Sequence, residues 1–207
     1  MRITSMVHRL GVAMIAGVML TTPALADDET EYFIQAVLDE AEPYLNAPDQ
    51  DTQFDGIRQL VDKYVDMRRV GLFTLGKYAR RITPEQKQVY LPLFKEYATG
   101  IYQNSLSTYA GEKLKVTGSV DRSQRDIIVN SEIIDAAPGS QLDHMVVHWR
   151  VYRSRDGHLT IVDVGADNIW LAIEQLEQFT SIIANNGGPP AGIDALIADL
   201  KEQTADE

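Results

Sequence analysis

The stretch "EKLKVTGSVDRSQRDIIVNSEI" (residues 112–133) is the point at which the apolar pattern of this chain changes its period. Upstream of it, apolar residues recur every three or four positions, which is typical of one face of a helix. Within it, apolar or small residues stand at every second position on both sides of the polar turn "DRSQRD" (121–126). This alternation predicts two antiparallel strands, and therefore a sheet that begins where a series of helices ends.

Two further strands follow the turns "APGSQ" (137–141) and "SRDG" (154–157). The third strand has a polar face and an apolar face, and the apolar face consists of Met145, Val147, Trp149 and Val151. The fourth strand is "HLTIVDV" (158–164). Short connections favour an antiparallel four-stranded sheet with one apolar face. The flanking helices are available to cover that face, so we expect an α+β architecture.

Helical spacing of apolar residues predicts helices over residues 30–46 and 54–82. Pro43 is expected to end or kink the first helix, because proline lacks the amide hydrogen that a helix interior needs. Gly71 and Gly76 are possible breaks in the second helix.

The segment "TPEQ" (83–86) has the pattern of a capping box that starts a new helix. Thr83 is the expected N-cap, and Gln86 stands three residues later, where its side chain can reach back to the cap. Pro92 and Gly100 lie inside the pattern that follows, so we expect a bend or a break in this helix.

The segment "DVGADNIWLAIEQLEQFTSIIANNGG" (163–188) runs from the last strand into an amphipathic helix. Asp167 or Asn168 is expected to cap the start of this helix, and Gly187 to end it. A short final helix follows, with Ile193, Leu196, Ile197 and Leu200 on one side. We expect the sheet to be faced by an apolar stripe on the amphipathic helix: Ile169, Ala172, Ile173, Leu176, Phe179 and Ile183.

Residues 1–26 have the pattern of a secretory signal peptide. The apolar run 10–20 is about half the ~20 residues that a membrane span needs, and small residues stand at Ala24 and Ala26. We expect residues 27–207 to form a single exported domain. The net charge of −11 argues against nucleic-acid binding. The absence of cysteine excludes disulfides and thiolate chemistry.

Few side chains suggest catalysis or metal binding. Asp163 is the one acid that could serve as a base in an α+β cavity. His144 and His148 share the polar face of the third strand, where they are expected at the surface, roughly 13 Å apart and too distant to bind one metal ion. A basic group is either a solvated helix face or a patch for a lipid phosphate or an acidic partner: Arg68, Arg69, Lys77, Arg80 and Arg81.

The block "LGKYARRITPEQKQVYLPLFKEYATGIYQNSLSTYAGEKLKV" (75–116) resembles the MlaC/toluene-tolerance family, the periplasmic auxiliary components of ABC transporters. Asp66 precedes the block, and the later segments 163–164, 178–179 and 192–200 also resemble that family. The resemblance rests on the order and spacing of residues along nearly the whole chain. Within the block it is carried by Leu75-Gly76-Lys77-Tyr78, Thr83-Pro84-Glu85-Gln86, Phe94, Tyr102, Tyr109 and Gly111-Glu112.

The chain departs from the family pattern at four positions. Ala79 stands where the family usually has tryptophan, and Leu176 replaces a common arginine. Asn168 and Trp170 stand where the family usually has glycine and serine. These departures concern the cargo and the partner more than the fold.

The resemblance implies a lipid carrier of the periplasm, which needs no cofactor and is not an enzyme, with acyl chains held in a cavity between the sheet and the helices. Within the basic group, the contact with a partner or a lipid headgroup is expected at Lys77, Arg80 and Arg81. The side chains expected to line the cavity are Leu72, Leu75, Phe94, Tyr97, Ile101, Val116, Val129, Met145, Val147, Trp149, Ile173 and Leu176.

The implied partners are an inner-membrane ABC transporter with an MCE-domain subunit and an outer-membrane lipoprotein complex. The implied cargo is phospholipid, and a hopanoid or another lipid is the alternative within the same family. Two other functions stay open at this point: an enzyme on a cone-shaped α+β fold that uses Asp163, and an adaptor that contacts the transporter without carrying lipid.

Overall fold

The computed structural model describes residues 27–106, 112–136, 138–140, 142–167 and 169–205. The predicted signal peptide, Tyr109, Gly111 and Asn168 lie outside these ranges. None of the described helices is long and apolar enough to cross a membrane. In chain order the elements are α1 (Asp28–Leu45), α2 (Gln50–Tyr64), α3 (Met67–Thr74), a 3₁₀ turn (Gly76–Arg80), α4 (Pro84–Leu106), β1 (Leu114–Ser123), β2 (Asp126–Ile133), β3 (Val146–Arg153), β4 (Leu159–Ala166), β5 (Ile169–Trp170), α5 (Leu171–Asn185) and α6 (Ala191–Ala205).

The strands form one antiparallel sheet in the order β1-β2-β3-β4-β5. The α+β architecture and the alternating strand faces are therefore confirmed, but the prediction of four strands was short by one. The additional strand, β5, pairs with residues 165–166 of β4. The chain turns back just before it, where Asp167 has a φ of 49°. Aspartate adopts this left-handed conformation more readily than most residues.

The short strand β5 also explains why the predicted cap of α5 was wrong. Residues 169–170 are extended, so α5 begins at Leu171 rather than directly after Asp167. The side chain of Asp163 takes over the capping role, since its Oδ1 accepts a hydrogen bond of 3.0 Å from the amide of Ala172. A carboxylate at this helix end also interacts favourably with the helix dipole.

The predicted helix over residues 54–82 is divided by a contact with the sheet. Val65 forms a bridge with Ile161 of β4, and the amide of Asp66 donates to the carbonyl of Ile161 at 3.0 Å. Asp66 then caps α3 by accepting from the amide of Arg69. Gly71 lies inside α3, so the break expected there was wrong, whereas the chain leaves helical geometry at Gly76 with a φ of 52°.

The capping box at the start of α4 is confirmed. The amide of Gln86 donates to Thr83 Oγ1, and the amide of Thr83 donates to Gln86 Oε1, both at 3.2 Å. Of the bend or break expected at Pro92 and Gly100, the break is excluded, because α4 continues through both to Leu106.

Buried side chains form two cores that determine where a ligand can bind. The helical core joins helices α2 through α6 and the end of α1, and it includes Ala41, Leu75, Phe94 and Phe179. A second cluster, which we call the sheet core, lies between α1 and one face of the sheet. It consists of Ile34, Val37, Leu38, Ile127, Val129, Val151 and Ile161.

Candidate functional site

The apolar face of the sheet is the surface that the sequence associates with a ligand. In β2 and β3, Val129 stands opposite Trp149 and Ile127 stands opposite Val151. Ser131 is the buried polar residue of this face, and its Oγ accepts a hydrogen bond of 2.9 Å from Trp149 Nε1. The centre of this face is therefore apolar apart from one hydrogen-bonded polar pair.

Helix α1 covers this face. Ile34, Val37 and Leu38 belong to the sheet core, and Phe33 packs against it and meets the ring of Tyr64 edge-on at 5.8 Å. In this structure the space between the layers is thus filled by side chains of α1. Burial of each large apolar side chain contributes about 1.5–3 kcal/mol relative to exposure in water, so the contacts that hold the first half of α1 on the sheet are the ones that a ligand would replace. The second half of α1 packs on the helical core through Ala41 and Leu45.

Four of the predicted lining residues belong to the sheet, and a fifth directly precedes β3. Val129 lies in the sheet core, and Val116 and Trp149 pack against it. Val147 is half-buried opposite Ser131, and Met145 is half-buried just before β3. The structure brings most of these side chains to one face.

The other predicted lining residues lie on helices, away from the sheet core. Helices α3 to α6 pack chiefly on one another, whereas α1 supplies the cover of the sheet face. Leu75 and Phe94 are buried in the helical core, with Leu72 and Tyr97 packed against it. Ile101 is half-buried, Ile173 is 38% exposed, and Leu176 lines a surface cleft.

The sequence-based site missed the contribution of α1. Phe33, Ile34, Val37 and Leu38 recur at helical spacing, so the signal for an amphipathic helix was present. Periodicity identifies the apolar face of a helix but not the surface against which that face packs.

Polar contacts fix α1 along the edge strand β1. The amide of Asp27 donates to Ser119 Oγ at 2.8 Å, and the same hydroxyl donates to Glu31 Oε1 at 2.7 Å. One turn further along, Gln35 Oε1 accepts from the backbone amide of Val116 at 3.0 Å. Helix α1 is thus attached to the sheet by a few hydrogen bonds in addition to its apolar face.

Arg153, at the end of β3, forms an ion pair with the start of α1. Its Nη2 donates to both carboxylate oxygens of Asp27, at 2.8 and 2.7 Å, and to Glu29 Oε2 at 3.1 Å. Burial alone would raise the pKa of Asp27, but hydrogen bonds, above all the one from Arg153, outweigh burial and lower it. The sequence-based site did not include Arg153. The signal was present, because Arg153 follows Val147, Trp149 and Val151 at every second position and therefore lies on the same face of β3.

Asp163 is buried, and its hydrogen bonds to the backbone give it a structural role at the start of α5. Oδ1 accepts from the amides of Val164 and Ala172, whereas Oδ2 has no partner among the described residues. Burial raises the pKa of this carboxyl, and the backbone hydrogen bonds and the nearby charge of Arg150 offset only part of that effect.

Asp163→Asn is expected to become more stable relative to the original protein as pH rises. The folded state holds the Asp163 proton more tightly than the unfolded state, so the original protein loses stability between pH 3.8, the ordinary pKa, and the raised folded pKa. Asparagine keeps an oxygen acceptor for Ala172 and has no charge to bury. Melting temperatures of both proteins from about pH 3 to about pH 7 test this, and a difference that stays constant over that range would contradict it.

The two histidines of the third strand region differ from each other. His144 is exposed, as expected, with Nδ1 2.8 Å from Glu132 Oε1. His148 was expected at the surface but is half-buried, 2.7 Å from Asn130 Oδ1 and stacked on Trp170. Among the residues that the structure describes, no three His, Asp or Glu side chains are grouped closely enough to hold a metal ion.

Lys77, Arg80 and Arg81 are exposed at the 3₁₀ turn before α4. Lys77 and Arg81 line a surface cleft of about 660 Å³ beside Gly187 and Gly188. A neighbouring cleft of about 570 Å³ extends from Lys77 along α5. Lys77 and Arg81 therefore border a groove on the outer surface of the helices, and neither belongs to the sheet core.

The fold and the site define a class of protein: an α+β protein in which an amphipathic helix covers the apolar face of an antiparallel sheet. A family model described as MlaC protein matches residues 31–202. The chain therefore belongs to the MlaC family, which confirms the resemblance seen in the sequence.

A solved structure has the same fold. It is a phospholipid-binding protein from Ralstonia solanacearum, determined in complex with a phospholipid. The two chains are 21% identical, with a TM-score of 0.69, and the match covers 85% of this chain and 97% of the other.

Proposed function

We propose that this protein is a lipid carrier that binds the acyl chains of a phospholipid on the apolar face of its sheet. The main observation in support is the row of apolar side chains on β2 and β3 under an amphipathic helix. Membership of the MlaC family and the bound phospholipid of the Ralstonia solanacearum protein support this assignment. The function is binding and transfer, without covalent chemistry.

The free energy of hydration explains why such a carrier is useful. Exposing ~30 methylene groups of a diacyl lipid to water costs about 24 kcal/mol, at about 0.8 kcal/mol each. An apolar protein surface removes most of this cost while the headgroup stays in water. Because α1 fills the space over the sheet core in this structure, lipid binding requires α1 to move away from the sheet.

We place the carrier in the periplasm, exported by the signal peptide 1–26 and active as the single domain 27–207. Its partners in this proposal are an MCE-type ABC transporter of the inner membrane and a lipoprotein complex of the outer membrane. The contact with an acidic surface of a partner is made by three residues of the basic group, Lys77, Arg80 and Arg81. The high net negative charge of the chain opposes adsorption to anionic bilayers.

The proposal is tested by extracting the purified protein with organic solvent and identifying bound lipid by mass spectrometry. Stoichiometric diacyl phospholipid is the expected result. Hopanoid in its place would change the cargo within the same function. A protein that carries no lipid, and takes up none from vesicles, would refute the carrier and favour the adaptor.

Transfer of lipid is expected to depend on a protein partner. Labelled phospholipid should pass slowly from the carrier to anionic vesicles and much faster to the same vesicles containing the reconstituted transporter. Reversal of charge at Lys77, Arg80 and Arg81 to glutamate should remove most of this gain, because an acidic docking surface would then repel the carrier.

The matched control reverses three exposed basic residues elsewhere, Arg125, Arg155 and Lys201, and so has the same net charge. It should keep the gain in rate. Equal rates with and without transporter would contradict delivery through a partner, and equal losses in the two triple variants would show that only net charge matters.

A further inference from the structure

Arg153 stands at the end of the apolar row of β3. Side chains alternate between the two faces of a strand, so Arg153 shares its face with Val151, Trp149 and Val147. Its contacts with the first turn of α1 confirm this placement, since α1 covers that face. At about 3.3 Å per residue, the row from residue 147 to residue 153 is about 20 Å long. Each leaflet of a bilayer accounts for half of a hydrocarbon core of about 30 Å, or about 15 Å, so the row is long enough to accommodate an acyl chain.

The guanidinium of Arg153 has a hydrogen-bond donor without a partner among the described residues. Nη2 contacts three carboxylate oxygens and Nη1 donates to the carbonyl of Gln124 at 3.4 Å, whereas Nε is buried and has no partner among the described residues. The side chain is still 22% exposed, so it is accessible at the rim of the sheet. A planar guanidinium with free donors is the side chain best suited to bind two oxygens of a phosphate.

The carboxylates that hold Arg153 both belong to the segment that begins α1. Asp27 is the N-cap of the helix and Glu29 lies in its first turn. If α1 leaves the sheet, Arg153 loses both partners at the moment when the apolar row is exposed. Removing the partners of a partly buried charge is costly, so the open site would present a cation that needs an anion next to a surface that needs acyl chains.

We propose that Arg153 binds the phosphate of the lipid headgroup. While α1 covers the sheet, the carboxylates of Asp27 and Glu29 occupy the position of that phosphate on Arg153. This inference rests on the proposed function and names the headgroup contact of the same site. The ligand chemistry is a phosphate diester anion at the end of two acyl chains.

The test compares the affinity of the full mature chain for a fluorescent phosphatidylglycerol with its affinity for a diacylglycerol of the same chains. The ratio of the two affinities isolates the phosphate, because displacement of α1 and burial of the chains are common to both lipids. Arg153→Gln should lower the ratio about tenfold, the size expected for hydrogen bonds to a charged group. Arg153→Lys, which keeps the charge but loses the planar donor pair, should give an intermediate ratio.

Arg150→Gln is the matched control. Arg150 lies on the same strand and is 26% exposed, and it is similarly paired through two hydrogen bonds to Asp126, but it occupies the opposite face. Its variant should keep the original ratio. Should Arg153→Gln fail to fold, Arg153→Lys decides the question.

An unchanged ratio in the Arg153 variants, with both lipids still bound, would overturn the inference and leave the carrier function intact. Failure to bind either lipid in the original protein would instead refute the proposed function. Inorganic phosphate should not displace phosphatidylglycerol at equal concentration, because it lacks the chains. Displacement that depends on Arg153 would assign the residue to free phosphate and overturn its role in headgroup binding.

Discussion

Val147→Trp is expected to abolish lipid binding while the protein stays folded. Val147 is half-buried on the α1 side of β3, opposite Ser131, and is the first member of the row that we assign to acyl chains. An indole at this position would occupy the volume that the chains need. In a tightly filled core the same substitution costs about 1–3 kcal/mol or more, but a partly open position can accept it with a modest change in melting temperature. Mass spectrometry of extracted lipid and a thermal melt measure the two effects.

Val146→Trp provides the control. Val146 is the neighbouring residue of β3, also half-buried, and its side chain lies on the opposite face, where it pairs with Glu132. This variant should keep its lipid. Retained lipid in Val147→Trp would show that this face does not hold the chains, and global unfolding would show that it is filled core in every state.

A covalent link between α1 and β1 is expected to prevent lipid uptake completely. Glu31 and Ser119 are suitable positions, because their side chains are already joined by a hydrogen bond of 2.7 Å. The chain has no cysteine, so cysteines placed at these two positions can be linked by a short, cleavable thiol reagent without side products. The linked protein should take up no phospholipid from vesicles, since α1 can no longer leave the sheet core.

Cleavage of the reagent should restore uptake in the same sample, which separates the effect of the link from that of the substitutions. Each single cysteine variant, treated with the same reagent, should load lipid normally. Full uptake by the linked protein would mean that α1 stays in place and that the chains enter elsewhere in the fold.

The sequence predicted the local features of this fold well. The capping box of Thr83 and Gln86 and the alternation of β2 and β3 depend on residues close together in the chain, and both are confirmed. The errors come from long-range pairing. The bridge between Val65 and Ile161 divides a predicted helix, and β5 moves the start of α5, yet neither pairing has a local signature.

The candidate site was predicted only in part for the same reason. The sheet members Val129 and Trp149 follow from a period of two, which assigns a face directly. Leu75 and Phe94 also lie on apolar stripes, but their stripes pack within the helical core. The choice of α1 as the cover depends on the three-dimensional packing of the helices, which their periodicity does not encode.

The hydrogen bond from the Val116 amide to Gln35 has a consequence for solubility. β1 is an edge strand, and edge strands with unpaired amides invite pairing between molecules. Gln35 occupies one of these amides only while α1 lies on the sheet. A carrier that is both open and empty would expose an apolar face beside an unprotected strand, the combination most prone to aggregation. Transport without self-association therefore requires that the sheet stay covered throughout the cycle, by α1 or by acyl chains.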